Sequence, residues 1–447
     1  MAIGAGVRGV LGRPHFRRLY ATRLVSQAAD GVFQAGLASA VFFNPEHGTD
    51  AAKVAAGFAV LLLPYSLVGP FAGVLLDRWR RQRVLVVANL VRAVLVAGVS
   101  VLLVTVGPAS GLFYAGALAA VSVNRFFLTA LSVSLPHLVT KDELVTANSL
   151  STTSGFAATV LGGLAGLVIR AGAGTGDRGS ATVSAVAAAT YLLSSVVAIG
   201  FRDADLLGPE RVDRQRLASA LSAVARGLAA GAAHLAARRP AAYAVLAIGV
   251  HRFCYGLSTI ATLLLYRNYF ANAGPLRTGI AGVGQVVAAG AVGVVLAAVA
   301  TPTVTRSLGK ERWIVLVFAG AGVAEVAFGL PYRQGPFLLG AVCLGFASQA
   351  AKICVDTILQ ETVADAFRGR AFAFYDAMFN LTFVLAAAAG AILLPANGKS
   401  YAVLAGIGVG YVVLAAAYGV AVRTRRPLSV VGFTMDPRPH AQTRSGE

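Results

Sequence analysis

Nine charged side chains fall inside long apolar segments of this 447-residue chain. A charge buried in apolar surroundings is costly, so such residues usually face a cavity or an opposite charge and carry function. Acids and bases in this setting can hold the charge of a bound compound or take up and release a proton. The nine residues are Arg23, Asp30, Arg92, Arg125, Arg252, Glu325, Lys352, Asp356 and Asp376.

Asp30 and Arg125 are the leading candidates for proton handling. Asp30 lies about eleven residues into the first apolar segment, with Ser26 and Gln34 one helical turn away. We expect it to load and release a proton; the alternatives are a permanent ion pair that fixes packing, or a contact to substrate. Arg125 lies midway along the fourth segment and cannot deprotonate. It could therefore tune Asp30, hold an anionic group, or be satisfied by backbone carbonyls.

Arg252, Lys352 and Asp356 are expected to line the same cavity. Lys352 and Asp356 are four residues apart and share a helix face, so they could also form an intrahelical ion pair that offsets its own burial cost. Arg252 follows His251, and a local hydrogen-bond role is the alternative for that pair. The sequence assigns no role to Glu325 or Asp376.

Twelve apolar segments of about 19 to 26 residues must position these side chains. About 20 apolar residues suffice to span a bilayer, so the pattern predicts an all-α membrane protein. The 13% content of charged residues is half of the roughly 25% typical of soluble domains. The predicted spans are 19–43, 54–76, 84–107, 111–136, 147–169, 181–201, 241–266, 279–300, 313–331, 336–359, 371–395 and 401–422.

A polar stretch divides these spans into two sets of six. Residues 202–240 form the predicted linker, within which Leu217 to Ala237 has helical composition and could lie along the membrane surface. The tail is polar and expected to be disordered. The predicted parts are an N-terminal arm (1–18), an N-terminal six-helix half (19–201), the linker (202–240), a C-terminal six-helix half (241–422) and a tail (423–447).

The distribution of positive charge predicts the orientation of the chain. The net charge is +19, which could suggest nucleic acid, but the charge follows the loops. Loops on the side of both termini carry 26 Lys and Arg residues, and loops on the other side carry seven. Cytoplasmic loops are enriched in these residues. We therefore expect a multi-pass protein of the cell membrane with both termini cytoplasmic, contact with anionic lipid, and no nucleic-acid partner.

The segment between the second and third spans, Gly73–Arg83, carries a recognisable motif. It resembles the helix 2–3 loop of the major facilitator superfamily, Gly-x-Leu-x-Asp-Arg-x-Gly-Arg-Arg/Lys. Arg80 stands in place of the second glycine and Gln82 in place of the last basic residue. The matching residues are Gly73, Leu75, Asp77, Arg78 and Arg81.

The resemblance implies two six-helix halves with a substrate site near the midplane between them. In this superfamily helices 1, 4, 7 and 10 line the cavity, and six of the nine buried charges fall on those helices. The resemblance also implies that Gly73, Asp77, Arg78 and Arg81 form a cytoplasmic gate. Proton-coupled exporters of the family carry an acid on helix 1 and an arginine on helix 4. Glycines of helix 5, such as Gly162, fit close helix packing.

The predicted function is secondary active transport by alternating access, with proton-coupled efflux of a small amphipathic compound as the favoured mode. The partners would be that substrate, protons and membrane lipids. The alternatives are uptake or flipping of an anionic amphiphile or lipid, and a non-transporting scaffold or receptor. No enzyme, metal or cofactor is expected, because the sequence contains no phosphate-binding Gly-x-x-x-x-Gly-Lys-Ser/Thr loop and no metal-ligand cluster.

Overall fold

The computed structural model describes residues 8–42, 51–68, 71, 79–140, 143–174, 176–201, 207, 217–270 and 279–423. Within those residues the chain forms thirteen α-helices of 15 residues or more and no β-strand. The helices are α1 (Pro14–Phe42), α2 (Ala51–Leu67), α3 (Arg81–Thr105), α4 (Gly111–Ser134), α5 (Leu144–Ala173), α6 (Asp177–Ile199), a linker helix (Leu217–Ala236), α7 (Arg239–Leu264), α8 (Gly279–Leu308), α9 (Lys310–Ala324), α10 (Gln334–Thr362), α11 (Asp365–Leu393) and α12 (Tyr401–Arg423).

Each predicted apolar span overlaps one of the numbered helices over the described residues, and the predicted linker helix is confirmed as a helix. Ten of the described helices are long and apolar enough to cross a membrane. The two numbered helices outside this set are α1, which carries several polar and charged residues, and α2, which is described over 17 residues. The chain is therefore all-helical with at least ten candidate spans, and the twelve-span layout stays a prediction.

Most of the extensive contacts between described helices join two helices of the same half of the chain. In the first half, α1 packs on α5 and α6, and α3 packs on α4 and α6. In the second half, α8 packs on α10, α7 on α11, and α9 on α10 and α12. We call α1–α6 the N-terminal group and α7–α12 the C-terminal group. The most extensive described contact between the groups joins α2 to α11, where Ser66 Oγ donates to the Ala377 carbonyl at 2.9 Å.

Large apolar side chains remain exposed along the outside of this bundle. Examples are Val94 on α3, Val168 on α5, Val299 on α8 and Ile392 on α11. Exposed apolar surface of this extent is expected where a protein faces lipid rather than water.

Small residues allow the close helix crossings on which the bundle depends. At Gly162 a Cβ atom would lie 2.1 Å from the Ala28 carbonyl oxygen, so α5 approaches the backbone of α1 more closely than any side chain permits. This is the packing role expected for the helix 5 glycines. Between α8 and α9 the chain reverses at Gly309, whose φ of +79° lies in the left-handed region that glycine tolerates.

Candidate functional site

Asp30 lies at the middle of α1 in a buried polar network of the N-terminal group. Its side chain forms an ion pair with Arg92 of α3. The Tyr191 hydroxyl of α6 donates to Asp30 Oδ1 at 2.8 Å, and Asn124 Nδ2 of α4 donates to Oδ2 at 3.3 Å. Asp30 is 5% exposed and Arg92 is 1% exposed, so the two charges depend on each other for compensation.

Arg92 is held by further hydrogen bonds of the same network. Its Nη1 donates to Ser26 Oγ at 3.0 Å and to Asn89 Oδ1 at 3.2 Å, while Nη2 donates to the Tyr191 hydroxyl at 2.6 Å. A cavity of about 220 Å³ adjoins Asp30, Arg92 and Tyr191. We refer to this network as the Asp30 junction, which consists of Ser26, Asp30, Asn89, Arg92, Asn124 and Tyr191.

The described ion-pair partner of Asp30 is thus Arg92, and the expected influence of Arg125 on Asp30 stays a prediction. Successive residues of an α-helix point about 100° apart, so Asn124 and Arg125 enter different surroundings. Asn124 contacts Asp30, whereas the charge of Arg125 acts on Asp376 of α11. We therefore group Arg125 with Asp376 in a second set of charges.

This second cluster gathers charges from four helices. Lys352 Nζ of α10 lies 3.0 and 3.2 Å from the carboxylate oxygens of Asp356, which confirms the shared helix face. The charges of Lys352 and Asp356 also act on Asp376, which is exposed in the described structure. We call this set the central charge cluster, and it consists of Arg125, Arg252, Lys352, Asp356 and Asp376.

Aromatic rings of α11 lie beneath the cations of the central charge cluster. The Arg252 guanidinium carbon is 4.3 Å from the centroid of the Phe379 ring and 4.6 Å from that of Phe383. Lys352 Nζ is 5.1 Å from the Tyr375 ring and 5.5 Å from the Phe379 ring. Cations within about 6 Å of an aromatic face are attracted to it. The cluster therefore combines three cations, two carboxylates and an apolar aromatic floor.

The predicted gate is described only at its last residue, because Gly73, Asp77 and Arg78 lie outside the described residues. Arg81 is 9% exposed at the start of α3. Its Nη1 donates to the Val133 carbonyl at 2.8 Å and to the Leu207 carbonyl at 3.0 Å. Arg81 thus ties the start of α3 to the end of α4 and to the chain that follows α6.

The linker helix contacts the beginning of α11. His234 stacks on Phe367 with ring centroids 4.2 Å apart, and Arg238 Nη1 lies 2.9 Å from His234 Nδ1. Partial burial, and then the charge of Arg238, lower the pKa of His234. Neutral imidazole is accordingly the form that suits this contact, since it can accept from Arg238.

Sequence reasoning missed several members of these sites. Tyr191 and Asn89 are neutral residues on helices that do not line the expected cavity, so a search for charges passes over them. The sequence shows Arg92 as a charge within an apolar segment, at a height along its helix similar to that of Arg125. Height alone therefore does not identify which arginine pairs with Asp30. Only the rotation of α3 and α4 about their axes distinguishes the two arginines as partners for Asp30.

Two proteins of a named transporter family are similar in sequence to this chain over most of its length. An uncharacterized MFS-type transporter of Mycobacterium bovis is 37% identical over 394 residues, which is 88% of this chain and 88% of the relative. An uncharacterized MFS-type transporter of Mycobacterium tuberculosis matches to the same extent. The chain belongs to the major facilitator superfamily. No protein-family model matches it.

Solved structures of other transporters share this fold. A variant of the nucleoside transporter NupG superimposes with a TM-score of 0.67 at 14% identity, covering 91% of this chain and 99% of that one. A variant of the peptide transporter POT in complex with sulfate gives 0.66 at 14% identity, covering 92% and 94%. Identities this low establish the fold alone. The resemblance first suggested by the Gly73–Arg83 motif is confirmed at the level of the superfamily.

Proposed function

We propose that this facilitator-superfamily protein is a secondary active transporter that exports a small amphipathic compound in exchange for protons. Membrane transport is the function of its named relatives. The observation that carries the finer proposal is the central charge cluster. It groups charges of α4 with charges of α7, α10 and α11, and an alternating-access site would draw on both halves of the chain in this way.

The chemistry of the cluster fits an amphipathic substrate. Phe379 and Phe383 offer apolar ring surface, while Arg252 and Lys352 hold positive charge directly against those rings. A compound with an apolar body and a polar or charged end would satisfy both. Pockets that combine aromatic lining with a few placed polar groups are typical of small-molecule sites.

Proton coupling is assigned here to Asp376, with Asp356 as its neighbour. A coupling carboxyl must change its surroundings as the transporter alternates. Asp376 and Arg125 belong to different helix groups, so their separation changes when the groups rock against each other. The partners of Asp30 all lie on α3, α4 and α6 of its own group, and would move with it. Asp30, the acid favoured by the sequence, becomes the second candidate.

A second candidate function is uptake or flipping of an anionic amphiphile. It is favoured by the sign of the central charge cluster, in which three cations face two carboxylates. The aromatic rings lie against the flat face of the Arg252 guanidinium. Its N–H donors point outward along the edge of the group and can still bind an anion. This function predicts saturable transport of a fatty acid or phospholipid without proton exchange.

The deciding experiment is substrate-induced proton flux in proteoliposomes, screened over a panel of amphipathic compounds at two pH gradients. Asp376→Asn should abolish accumulation against a gradient while downhill exchange persists. Glu361→Gln, which alters an exposed acid paired with Lys310 outside the cluster, is the matched control and should transport normally. Retained accumulation in Asp376→Asn together with its loss in Asp30→Asn would return the coupling role to Asp30. Substrate transport that never moves protons would reject proton coupling.

The gate and the orientation complete the proposal. We expect Asp77→Asn to reduce turnover severely with little change in substrate affinity, because the loss falls on a conformational latch. Normal turnover in that variant would mean that the motif only helps to set the orientation of the chain in the membrane.

The orientation is tested separately. With both termini cytoplasmic, a cysteine introduced at Thr175 should be labelled from outside the cell and one at Ser445 only from inside. Labelling of both from outside would reject the orientation.

A further inference from the structure

A second cavity, of about 240 Å³, lies inside the C-terminal group between α7, α8, α9 and α10. Its walls are mostly apolar and include Val286, Phe328 and Leu344, and it reaches the exposed Val287 on the outside of α8. One carboxyl group, that of Glu325, also lines it. We call this cavity the Glu325 pocket.

Glu325 is 5% exposed and is held in place by Ser258. The Ser258 hydroxyl of α7 donates to Glu325 Oε1 at 2.5 Å. Glu325 is also the first residue of the π-helical turn Glu325–Gly329 that ends α9. Such turns occur frequently at functional sites, and this one sets the carboxyl between Ser258 of α7 and the cavity.

Within the described part of the chain, no lysine, arginine or histidine forms an ion pair with Glu325. Arg252, a nearby cation, lies over the Tyr255 ring at 5.5 Å, and Tyr255 is part of the pocket wall. A carboxylate buried among apolar groups without a cation is strongly disfavoured. A ligand that brings its own positive charge would relieve this cost.

We propose that the Glu325 pocket binds a small amphipathic amine. The ammonium group donates to the Glu325 carboxylate and to the Ser258 oxygen, whose own hydrogen is directed at Glu325. The apolar body of the amine lies against Phe328, Val286 and Leu344. The cavity is smaller than the roughly 300–1,000 Å³ typical of drug-sized ligands, so the amine is a small one. The proposal concerns binding and does not require that the amine is transported.

The test is binding of tritiated 2-phenylethylamine to the full chain in phosphatidylglycerol nanodiscs, by scintillation proximity. We expect saturable binding that Glu325→Gln weakens at least tenfold. The neutral isostere 2-phenylethanol should compete poorly, because it fills the same space without the charge. Ser258→Ala should weaken binding by a smaller factor. Thermal unfolding of each variant verifies that it is folded.

Two controls separate the pocket from the central charge cluster and from lipid. Glu361→Gln, at an exposed acid outside both sites, should leave amine binding unchanged; a tenfold loss in Asp376→Asn with full binding in Glu325→Gln would overturn the proposal. Equal competition by 2-phenylethanol and 2-phenylethylamine would also overturn it, since the pocket would then recognise shape alone. Adding phosphatidylethanolamine to the nanodiscs distinguishes the source: competition by this lipid supports the site and identifies a lipid ammonium as its occupant, while lack of competition supports a free amine.

Discussion

The Asp30 junction and the Glu325 pocket occupy comparable places in the two helix groups. Each joins the first helix of its group to the third: α1 to α3 through Asp30 and Arg92, and α7 to α9 through Ser258 and Glu325. The first contains both members of an ion pair and four further hydrogen-bonding side chains around it. The second contains an acid and a hydroxyl, and adjoins an apolar cavity.

The difference concerns what each acid can do. Asp30 already has a cation, a phenol and an amide as described partners, and all three belong to helices of its own group. Its ion pair and hydrogen bonds therefore hold α1, α3, α4 and α6 together. Breaking a buried pair is costly, whereas leaving it intact adds little. Among the described residues Glu325 has one hydrogen-bond partner, the neutral Ser258, so it is suited to a cation from outside. The Asp30 junction therefore stabilises the packing of its helices, and the Glu325 pocket is suited to binding a ligand.

The largest expected effect is on the Asp30 junction. Arg92→Met leaves Asp30 buried without a cation and should destabilise the protein by about 3–5 kcal/mol. Thermal unfolding in detergent or nanodiscs measures this. Arg252→Met is the matched control and should cost less, because its guanidinium lies on aromatic rings. Adding Asp30→Asn to Arg92→Met should restore much of the stability; failure to do so would mean that packing, rather than charge, dominates the junction.

A smaller effect is expected where α5 holds α1 in place beside the Asp30 junction. Gly162→Ala would place a Cβ atom 2.1 Å from the Ala28 carbonyl oxygen. The backbones of α1 and α5 would have to move apart to make room for it. We expect a loss of about 1–3 kcal/mol, as for overpacked cores. At Gly163, one residue further on, the nearest atom would be 3.7 Å away. Gly163→Ala should therefore be tolerated, and equal losses in the two variants would contradict this account of the crossing.

The Glu325 pocket should respond far less to loss of its charge. Glu325→Gln preserves the shape of the side chain and its hydrogen bond with Ser258, and no ion pair is broken. The change in unfolding free energy should stay below about 1 kcal/mol, the scale of one neutral hydrogen bond. A loss as large as that of Arg92→Met would indicate that Glu325 has a stabilising partner, and the contrast between the two sites would disappear.

The smallest effect lies outside both sites, at the contact of the linker helix with α11. Because the folded state lowers the pKa of His234, the unfolded chain binds more protons, and stability rises with pH in this window. The contribution is present above the ordinary histidine value of about 6.5 and is lost as pH falls below it. The protection factors of Leu217–Ala236 in hydrogen exchange, corrected for the intrinsic rate at each pH, should fall on acidification, and His234→Gln should remove that dependence. An unchanged dependence in the variant would assign it to another group.

The sequence predicted much of the fold and part of the site. Apolar length and the spacing of polar breaks placed every numbered helix, and the motif at Gly73–Arg83 indicated the superfamily. Lys352 and Asp356 were expected to share a face because residues four apart always do so in a helix. Arg252 of α7 and Lys352 of α10 both lie over the Phe379 ring, whereas the expectation that they line one cavity with Arg125 stays a prediction.

Only the tertiary structure decided which charges became partners. The membrane depth of Asp30, Arg92 and Arg125 follows from the sequence, because each helix rises by a fixed distance per residue. The rotation of each helix about its axis depends on how its whole surface packs, and that rotation directs Asn124 to Asp30 and Arg125 to Asp376. The same packing left Glu325 beside Ser258 and a cavity. The sequence by itself determined which residues lie within apolar helices and at what height along them, and the packing determined which of them are buried and paired.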